Sequence, residues 1–564
     1  MHRSGGIRPA KCATQPRAAN PRFAETISMS PTLTTLVVIV FGLLIARRFL
    51  APVLVGRWIA RLRADPAIDE YNAASAYSQR GFDPVHTELA HVALPIQGEL
   101  PPDLQGAYLR NGTNRQVQDS RSRLHMFNGA GMLHQIQFRD GQAWYSNTFV
   151  RTPRFEHERA AGHELYPEFG DIAGNGKKGF ARIISSAMAQ RFGLAPKMSN
   201  ETSASSTTAI QYHHGKLYAL QETAHPFALE TRMENGHLVI SGKGAFDELD
   251  GVLTGPFTAH PKIDPASGDW HSFSTHLQSG KIFYSVLAAG QLKFYREITE
   301  AKPALAFVHD GFLTPNAAVF PDLSLRFDGG QMFKEHASPF YYDPDYEMRF
   351  GVIDRNDPEH AEVRWCDTGM DGHIWHTVNG WEEARADGGA DLVLVAPVFR
   401  AYPSNVPIHS PQEPHAHLYK FRFDLATGER RDSRCLLEHF YERPSFNTAW
   451  IGKQTRYAYL LDEEGAGGVM ASGVLKYDMI DEQAVGEFSY GDYRGGEALF
   501  VPREGATEED DGYLIELLMA DEDAAVLVLD ARNMTELARL PLPQRVPYGV
   551  HGCWLDASQL ETLA

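Results

Sequence analysis

Leu418-Tyr-Lys-Phe-Arg-Phe-Asp424, Val474-Leu-Lys-Tyr-Asp478 and Val526-Leu-Val-Leu-Asp530 share one design: a run of strand-forming residues ends on an aspartate that opens a turn, and another apolar segment follows. Their aspartates are 54 and 52 positions apart. That period is close to one four-stranded propeller blade. A blade cannot bury its own apolar face, so blades stack into a ring whose axis gathers side chains from many of them. Upstream, Phe138 through Asp140-Gly141 to Tyr145 reads as a hairpin with a tight turn. With 49 Gly, 33 Pro and 43% hydrophobic residues in 564, the composition favours many short elements joined by turns. An all-β body is expected over residues 80–564.

The first part of the chain has a different character. Residues 1–31 are rich in Arg, Ala, Pro and Ser and poor in acids, as in a disordered or targeting segment. Residues 32–64 hold an apolar run, Leu33 to Ala46, then Arg47 and Arg48 and a second apolar stretch, Phe49 to Val55. At about 1.5 Å per residue the first run covers roughly 21 Å, short of a ~30 Å hydrocarbon core. Four readings stay open: a signal anchor with snorkelling arginines, a cleaved signal peptide, an interfacial helix, and a buried helix of the body. Arg47, Arg48, Arg57, Arg61 and Arg63 cluster after the run, and no small-residue cleavage site follows it. The anchor is therefore favoured, with the body on the cytoplasmic side of a membrane.

The charge balance of 53 basic against 71 acidic residues, a net −18, repels a phosphate backbone, so no nucleic-acid partner is expected. Cys12, Cys366, Cys435 and Cys553 lie far apart with no Cys-x-x-Cys pair, which argues against disulfide scaffolds and thiolate metal sites. Phe180, Ile183, Ile184, Ala187 and Met188 fall at helical spacing among Lys177, Lys178, Arg182 and Arg191. This amphipathic helix either packs over the strands or touches a membrane.

Of 24 histidines, four stand in distinctive settings: His260 in Thr-Ala-His-Pro-Lys, His309 in Phe-Val-His-Asp, His376 in Trp-His-Thr-Val-Asn and His551 in Tyr-Gly-Val-His-Gly-Cys. They are too widely spaced for a local zinc motif, whose ligands sit within a few residues of one another. Only a ring-like fold could bring them together.

From about residue 80 onward the chain resembles the carotenoid cleavage oxygenases, a family that includes carotenoid and apocarotenoid dioxygenases, stilbene-cleaving enzymes and a retinal isomerase. The resemblance rests on Gly106-Ala-Tyr-Leu-Arg-Asn-Gly112, on His125-Met-Phe-Asn-Gly-Ala-Gly-Met-Leu-His134 with Arg151-Thr152, and on the four histidine contexts. It implies a seven-bladed propeller with iron on its axis and a helical cap forming an apolar tunnel. It also implies that His260, His309, His376 and His551 bind Fe(II), and that Glu222, Glu442 and Glu497 orient them. The implied reaction uses O2 to split a conjugated double bond of a lipophilic polyene, giving two carbonyl products.

Some residues depart from the family pattern. Asn128 and Ala130 replace two acids of its Phe-Asp-Gly-Asp-Gly-Met loop, and Glu442-Arg443-Pro444-Ser445 replaces Glu-Phe-Pro-Arg. Gln221 stands where relatives acting on hydroxystilbenes tend to carry a lysine. A glutamine cannot stabilise a phenolate by charge, which favours a carotenoid or apocarotenoid. The alternatives are a stilbene-cleaving dioxygenase, an isomerohydrolase that uses the metal as a Lewis acid without O2, and a non-catalytic polyene binder.

Overall fold

The structure, a computed structural model, describes residues 30–564 apart from 79, 118–119, 200–201, 278, 299–304, 334–337, 403–414, 465–469, 550 and 564. Cys12 and most of the 1–31 segment lie outside the described residues. The chain divides into two units, Met1–Leu54 and Val55–Ala564.

In the first unit Pro31–Ile45 is an α-helix, followed by a π turn over Ala46–Leu50. Ser30 caps it, its side chain accepting from Leu33 N, and Pro31 suits the first turn, where its missing N–H is no loss. Helical structure continues through Ala51–Arg63, so the apolar segment is longer than the Leu33–Ala46 run alone. It is long and apolar enough to cross a membrane, and its most apolar window buries nothing within the protein.

The second unit is a seven-bladed β-propeller. The three aspartate-ended runs occupy equivalent places: Ala416–Asp424, Gly473–Asp478 and Ala524–Asp530 are the third strands of the fifth, sixth and seventh blades. Each aspartate builds the same turn. Asp424 Oδ1 accepts from Ala426 N and Thr427 N, Asp478 Oδ1 from Ile480 N and Asp481 N, and Asp530 Oδ1 from Arg532 N and Asn533 N. The carboxylate satisfies amides that the chain reversal would leave unpaired. The Asp140-Gly141 hairpin is also present, with φ of 52° and 68° at its two turn residues, as a turn matched to strand twist requires.

Seven apolar seams, one between each pair of neighbouring blades, show that the ring is closed. Leu109, Leu133, Ile210 and Leu217 join blades one and two, and Tyr218, Trp270 and Leu287 join two and three. Tyr284, Phe320 and Ile353 join three and four, and Phe350, Leu394 and Phe421 join four and five. Val393, Leu418, Leu460 and Tyr477 join five and six, and Tyr459, Val474, Leu514 and Leu527 join six and seven. Tyr108, Ile136, Val526 and Leu540 return from seven to one.

The chain ends are stitched into this closure twice. Gly552–Asp556 pairs with Gly106–Arg110 in blade one, and Gln97–Gly98 pairs with Arg539 and Ala538 in blade seven. Radial repetition of the blades leaves only short, protected strand edges.

Between blades one and two the chain leaves the ring to form helices Pro153–Ala161, Phe169–Ile172 and Gly176–Arg191. A separate three-stranded sheet, Leu305–Ala306, Leu325–Phe327 and Phe340–Tyr342, lies outside the blades. Helix Gly176–Arg191 buries its small residues, Gly176, Gly179, Ser185, Ser186 and Ala189. A Cβ at Gly179 would come within 2.9 Å of Asp171 O, so only glycine allows this approach. Phe180 and Ile184 point outward, together with Leu194 and Phe333. The helix therefore packs chiefly through its small residues, while of its apolar stripe Phe180, Ile184 and Ala187 are exposed and Ile183 and Met188 half-buried among the described residues.

Candidate metal centre

His260 lies just before strand Lys262–Ile263 and His309 just before Phe312–Leu313. His376 precedes Asn379–Ala384, and His551 precedes Gly552–Asp556. These are the terminal strands of blades three, four, five and one, on the side of each blade that faces the hub. A residue at the mouth of such a strand projects into the axis, and the same position in four blades delivers four imidazoles to one point. One ring nitrogen from each lies within 4.8 Å of all the others. His376 Nε2 is 3.3 Å from His309 Nε2 and 3.1 Å from His551 Nε2.

The remaining three blades supply carboxylates. Glu222 follows Lys216–Leu220 in blade two, Glu442 lies in Tyr441–Ser445 of blade six, and Glu497 precedes Leu499–Pro502 of blade seven. Glu222 Oε1 meets His309 Nδ1 at 2.7 Å, Glu442 Oε2 meets His376 Nδ1 at 2.6 Å, and Glu497 Oε1 meets His551 Nδ1 at 3.0 Å. Each carboxylate is itself held. Thr208 Oγ1 donates to Glu222, the Arg443 amide to Glu442, and Gly552 N to Glu497 at 2.7 Å. Among the described residues, no carboxylate meets the His260 ring.

A carboxylate can accept from Nδ1 only if the proton is there, so three Nε2 atoms present bare lone pairs to the hub. Lone pairs 3.1–3.3 Å apart repel unless something positive sits between them. With imidazole–metal bonds of about 2.1 Å, neighbouring nitrogens on one ion lie roughly 3 Å apart, so the spacing fits a shared cation. His260 Nε2 points the same way: it is buried with no hydrogen-bond partner. Burial and the neighbouring imidazoles push His260 and His376 well below the usual histidine range, which keeps them in the neutral, ligating form. Burial would raise Glu222, but hydrogen bonds from His309 and Thr208 outweigh it and hold the carboxyl below its ordinary value. Burial takes Glu442 up to about 7. An all-imidazole set suits iron, zinc, copper or nickel and is a poor site for magnesium or calcium.

The motif at residues 106–112 serves the same centre. Asn111 N donates to His551 O at 3.0 Å, and Asn111 Nδ2 holds Ser206 O and Ala209 O. A Cβ at Gly112 would lie 2.6 Å from Gly549 Cα, two residues from His551. Asn128, one of the departures, works on the cap instead: it donates to Arg123 O and accepts from Gly170 N. Arg443, the other, pairs with Glu463 at 2.6 Å and reaches the Tyr548 hydroxyl. Lys262, Asp310 and Thr377 form a hydrogen-bonded cluster beside the histidines, yet the sequence singled out none of them. Their only signal was adjacency to His260, His309 and His376 in the quoted contexts.

A propeller whose hub gathers four imidazoles, three of them braced by glutamates, defines the class: a β-propeller with a candidate metal centre on the ring axis. The retinal pigment epithelial membrane protein family matches residues 82–556. Carotenoid 9,10(9′,10′)-cleavage dioxygenase 1 of Arabidopsis thaliana is 32% identical over 517 residues, covering 86% of this chain and 90% of that protein. The lignostilbene dioxygenase of Pseudomonas brassicacearum superposes with a TM-score of 0.70 at 26% identity, covering 85% of this chain and 98% of that one. A variant of the Synechocystis apocarotenoid oxygenase shares the fold, with a TM-score of 0.69 at 23% identity over 85% and 98%. The chain belongs to the carotenoid cleavage oxygenase family and is an oxygenase enzyme.

Proposed function

We propose that the protein is a non-haem Fe(II) dioxygenase that cleaves one conjugated double bond of a carotenoid or apocarotenoid, with His260, His309, His376 and His551 holding the iron. The convergence of four ring nitrogens at the hub, three of them Nε2 atoms left bare by a glutamate on Nδ1, carries this reading. When bound there, the iron supplies open coordination positions at which O2 is activated beside the polyene. The protein's own part is placement. Glu222, Glu442 and Glu497 hold three rings in the ligating tautomer. Phe307 and Trp375, with ring centroids 6.3 and 5.4 Å from that of His309, give the hub an apolar flank suited to a polyene and poor for water.

The plant relative's name supports a carotenoid substrate, and the bacterial relative's name keeps a stilbene as the second reading. Gln221 weighs toward the first. Its Nε2 donates to Thr223 Oγ1 at 3.3 Å, so it offers a neutral amide and no cation to a phenolate. Iron-loaded protein supplied with β-apocarotenals and, separately, with hydroxystilbenes in 18O2 is expected to give labelled aldehydes from the apocarotenals. Turnover of stilbenes alone would reject the carotenoid reading, and undiminished conversion without O2 would point to an isomerohydrolase.

The same reading places the enzyme at a membrane surface, where its substrate dissolves. Support comes from the apolar helix at Pro31–Ile45 and from the uncovered apolar face of Gly176–Arg191, which carries Lys177, Lys178 and Arg191 at its ends. The arginines that follow the apolar run favour a catalytic body on the cytoplasmic side.

A further inference from the structure

Three imidazoles at the hub are held by glutamates, whereas among the described residues no carboxylate meets the His260 ring. Below the ligand-bearing loops, however, lies a fourth carboxylate. Asp310 is 5% exposed, and its oxygens are fully engaged. Lys262 Nζ lies 2.8 Å from Oδ1 and 3.0 Å from Oδ2. Oδ1 also accepts from Gly311 N at 2.7 Å, and Oδ2 from Thr377 N at 2.9 Å and Thr377 Oγ1 at 2.8 Å. Thr377 Oγ1 also lies 2.9 Å from Gly311 O, which competes with Asp310 Oδ2 for its single proton.

The cluster draws on three blades. Lys262 follows His260 by two residues in blade three, Asp310 is next to His309 in blade four, and Thr377 is next to His376 in blade five. We propose that Asp310 is a positioning residue for the metal centre, tying the loops of His260, His309 and His376 into one unit and, through Lys262, orienting the one ligand that has no glutamate. This rests on the metal-binding reading given above.

The energetics favour a specific role over passive filling. Burying a carboxylate and an ammonium together costs several kcal/mol, which a single pair rarely repays. Here both Asp310 oxygens are met by Lys262 Nζ, and each also accepts a backbone N–H, from Gly311 or Thr377, so the buried carboxylate is compensated on every side. A side chain at a strand mouth swings with its backbone, and an error of about 1 Å at one nitrogen is enough to spoil a four-nitrogen site. Fixing Lys262 removes that freedom for His260.

The test compares Asp310→Asn, Lys262→Met and the double variant, in the full chain stripped of metal, by Co(II) titration followed through its visible ligand-field spectrum. Lys262→Met strands the buried Asp310 carboxylate and Asp310→Asn leaves the half-buried Lys262 ammonium unpaired, so each is expected to lose both thermal stability and Co(II) affinity. The double variant removes both charges, so its melting temperature should return toward wild type. Its Co(II) affinity should stay roughly 10–100-fold weaker, the range seen when groups behind metal ligands are lost, with a shifted spectrum. A double variant that binds Co(II) with wild-type affinity and an unchanged spectrum overturns the proposal, because the pair then serves only the fold. Wild-type protein that takes up no Co(II) overturns the metal reading itself, and the clamp with it.

Discussion

An imidazole ligates only through a nitrogen that carries no proton, and water alone leaves the choice of nitrogen nearly open. Here Glu222, Glu442 and Glu497 make the choice by accepting from Nδ1. A different buried acid bears on stability. Glu516 is 2% exposed, accepts from the Tyr490 hydroxyl, and is pushed by burial up to about 7 from an ordinary 4.5. Folding therefore favours its protonated form. Its effect is absent at pH values below the unfolded-state value, and it destabilises progressively as pH rises from 4.5 to about 7. Glu516→Gln should thus gain stability over wild type as pH rises, by up to about 3 kcal/mol at pH 8. Melting temperatures of both proteins from pH 5 to 8 check this; a constant difference between them would refute it.

Among the elements, helix Gly176–Arg191 departs most from its sequence pattern. Its apolar positions are real, but Gly176, Gly179 and Ala189 face the protein because small residues let it approach closely, and Phe180 and Ile184 are left outside. Phe180 stacks edge-on with Phe333, their centroids 4.8 Å apart, which extends the apolar face onto a neighbouring segment. Phe180→Asp with Ile184→Asp should cost about 0.5–3 kcal/mol each, because both positions are partly covered and Phe180 packs on Phe333, while leaving the body folded. Binding of the Val55–Ala564 body to anionic phospholipid vesicles should drop at least tenfold. Sedimentation with vesicles reads this, and unchanged binding would show that the face meets no bilayer.

At the scale of the whole molecule, closure determines both stability and function. Gly552–Asp556 completes blade one and begins one residue after His551, so the strand that shuts the ring also delivers a ligand. Among the described residues, every strand of the ring belongs to the Val55–Ala564 unit. Removing residues 1–54 should leave the melting temperature of the body and its bound iron unchanged. The same deletion should convert a protein that resists alkaline extraction from membranes into one released by it. Loss of iron on truncation, or unchanged resistance to extraction, would count against this division of labour.

The sequence by itself determined the strand repeat, the turn at Asp140-Gly141, the apolar start and the identity of the four histidines, because each depends on local patterns or short motifs. Blade three illustrates the limit: His260 stands beside a strand of two residues, Lys262–Ile263, too short to leave a periodic signal. Only the tertiary structure decided which face of helix Gly176–Arg191 is buried, that Asn111 holds the His551 backbone, and that Lys262, Asp310 and Thr377 meet. Those contacts join residues from different blades. Neither propensity nor spacing encodes such a meeting; it exists only once seven seams have closed the ring and brought distant loops to one axis.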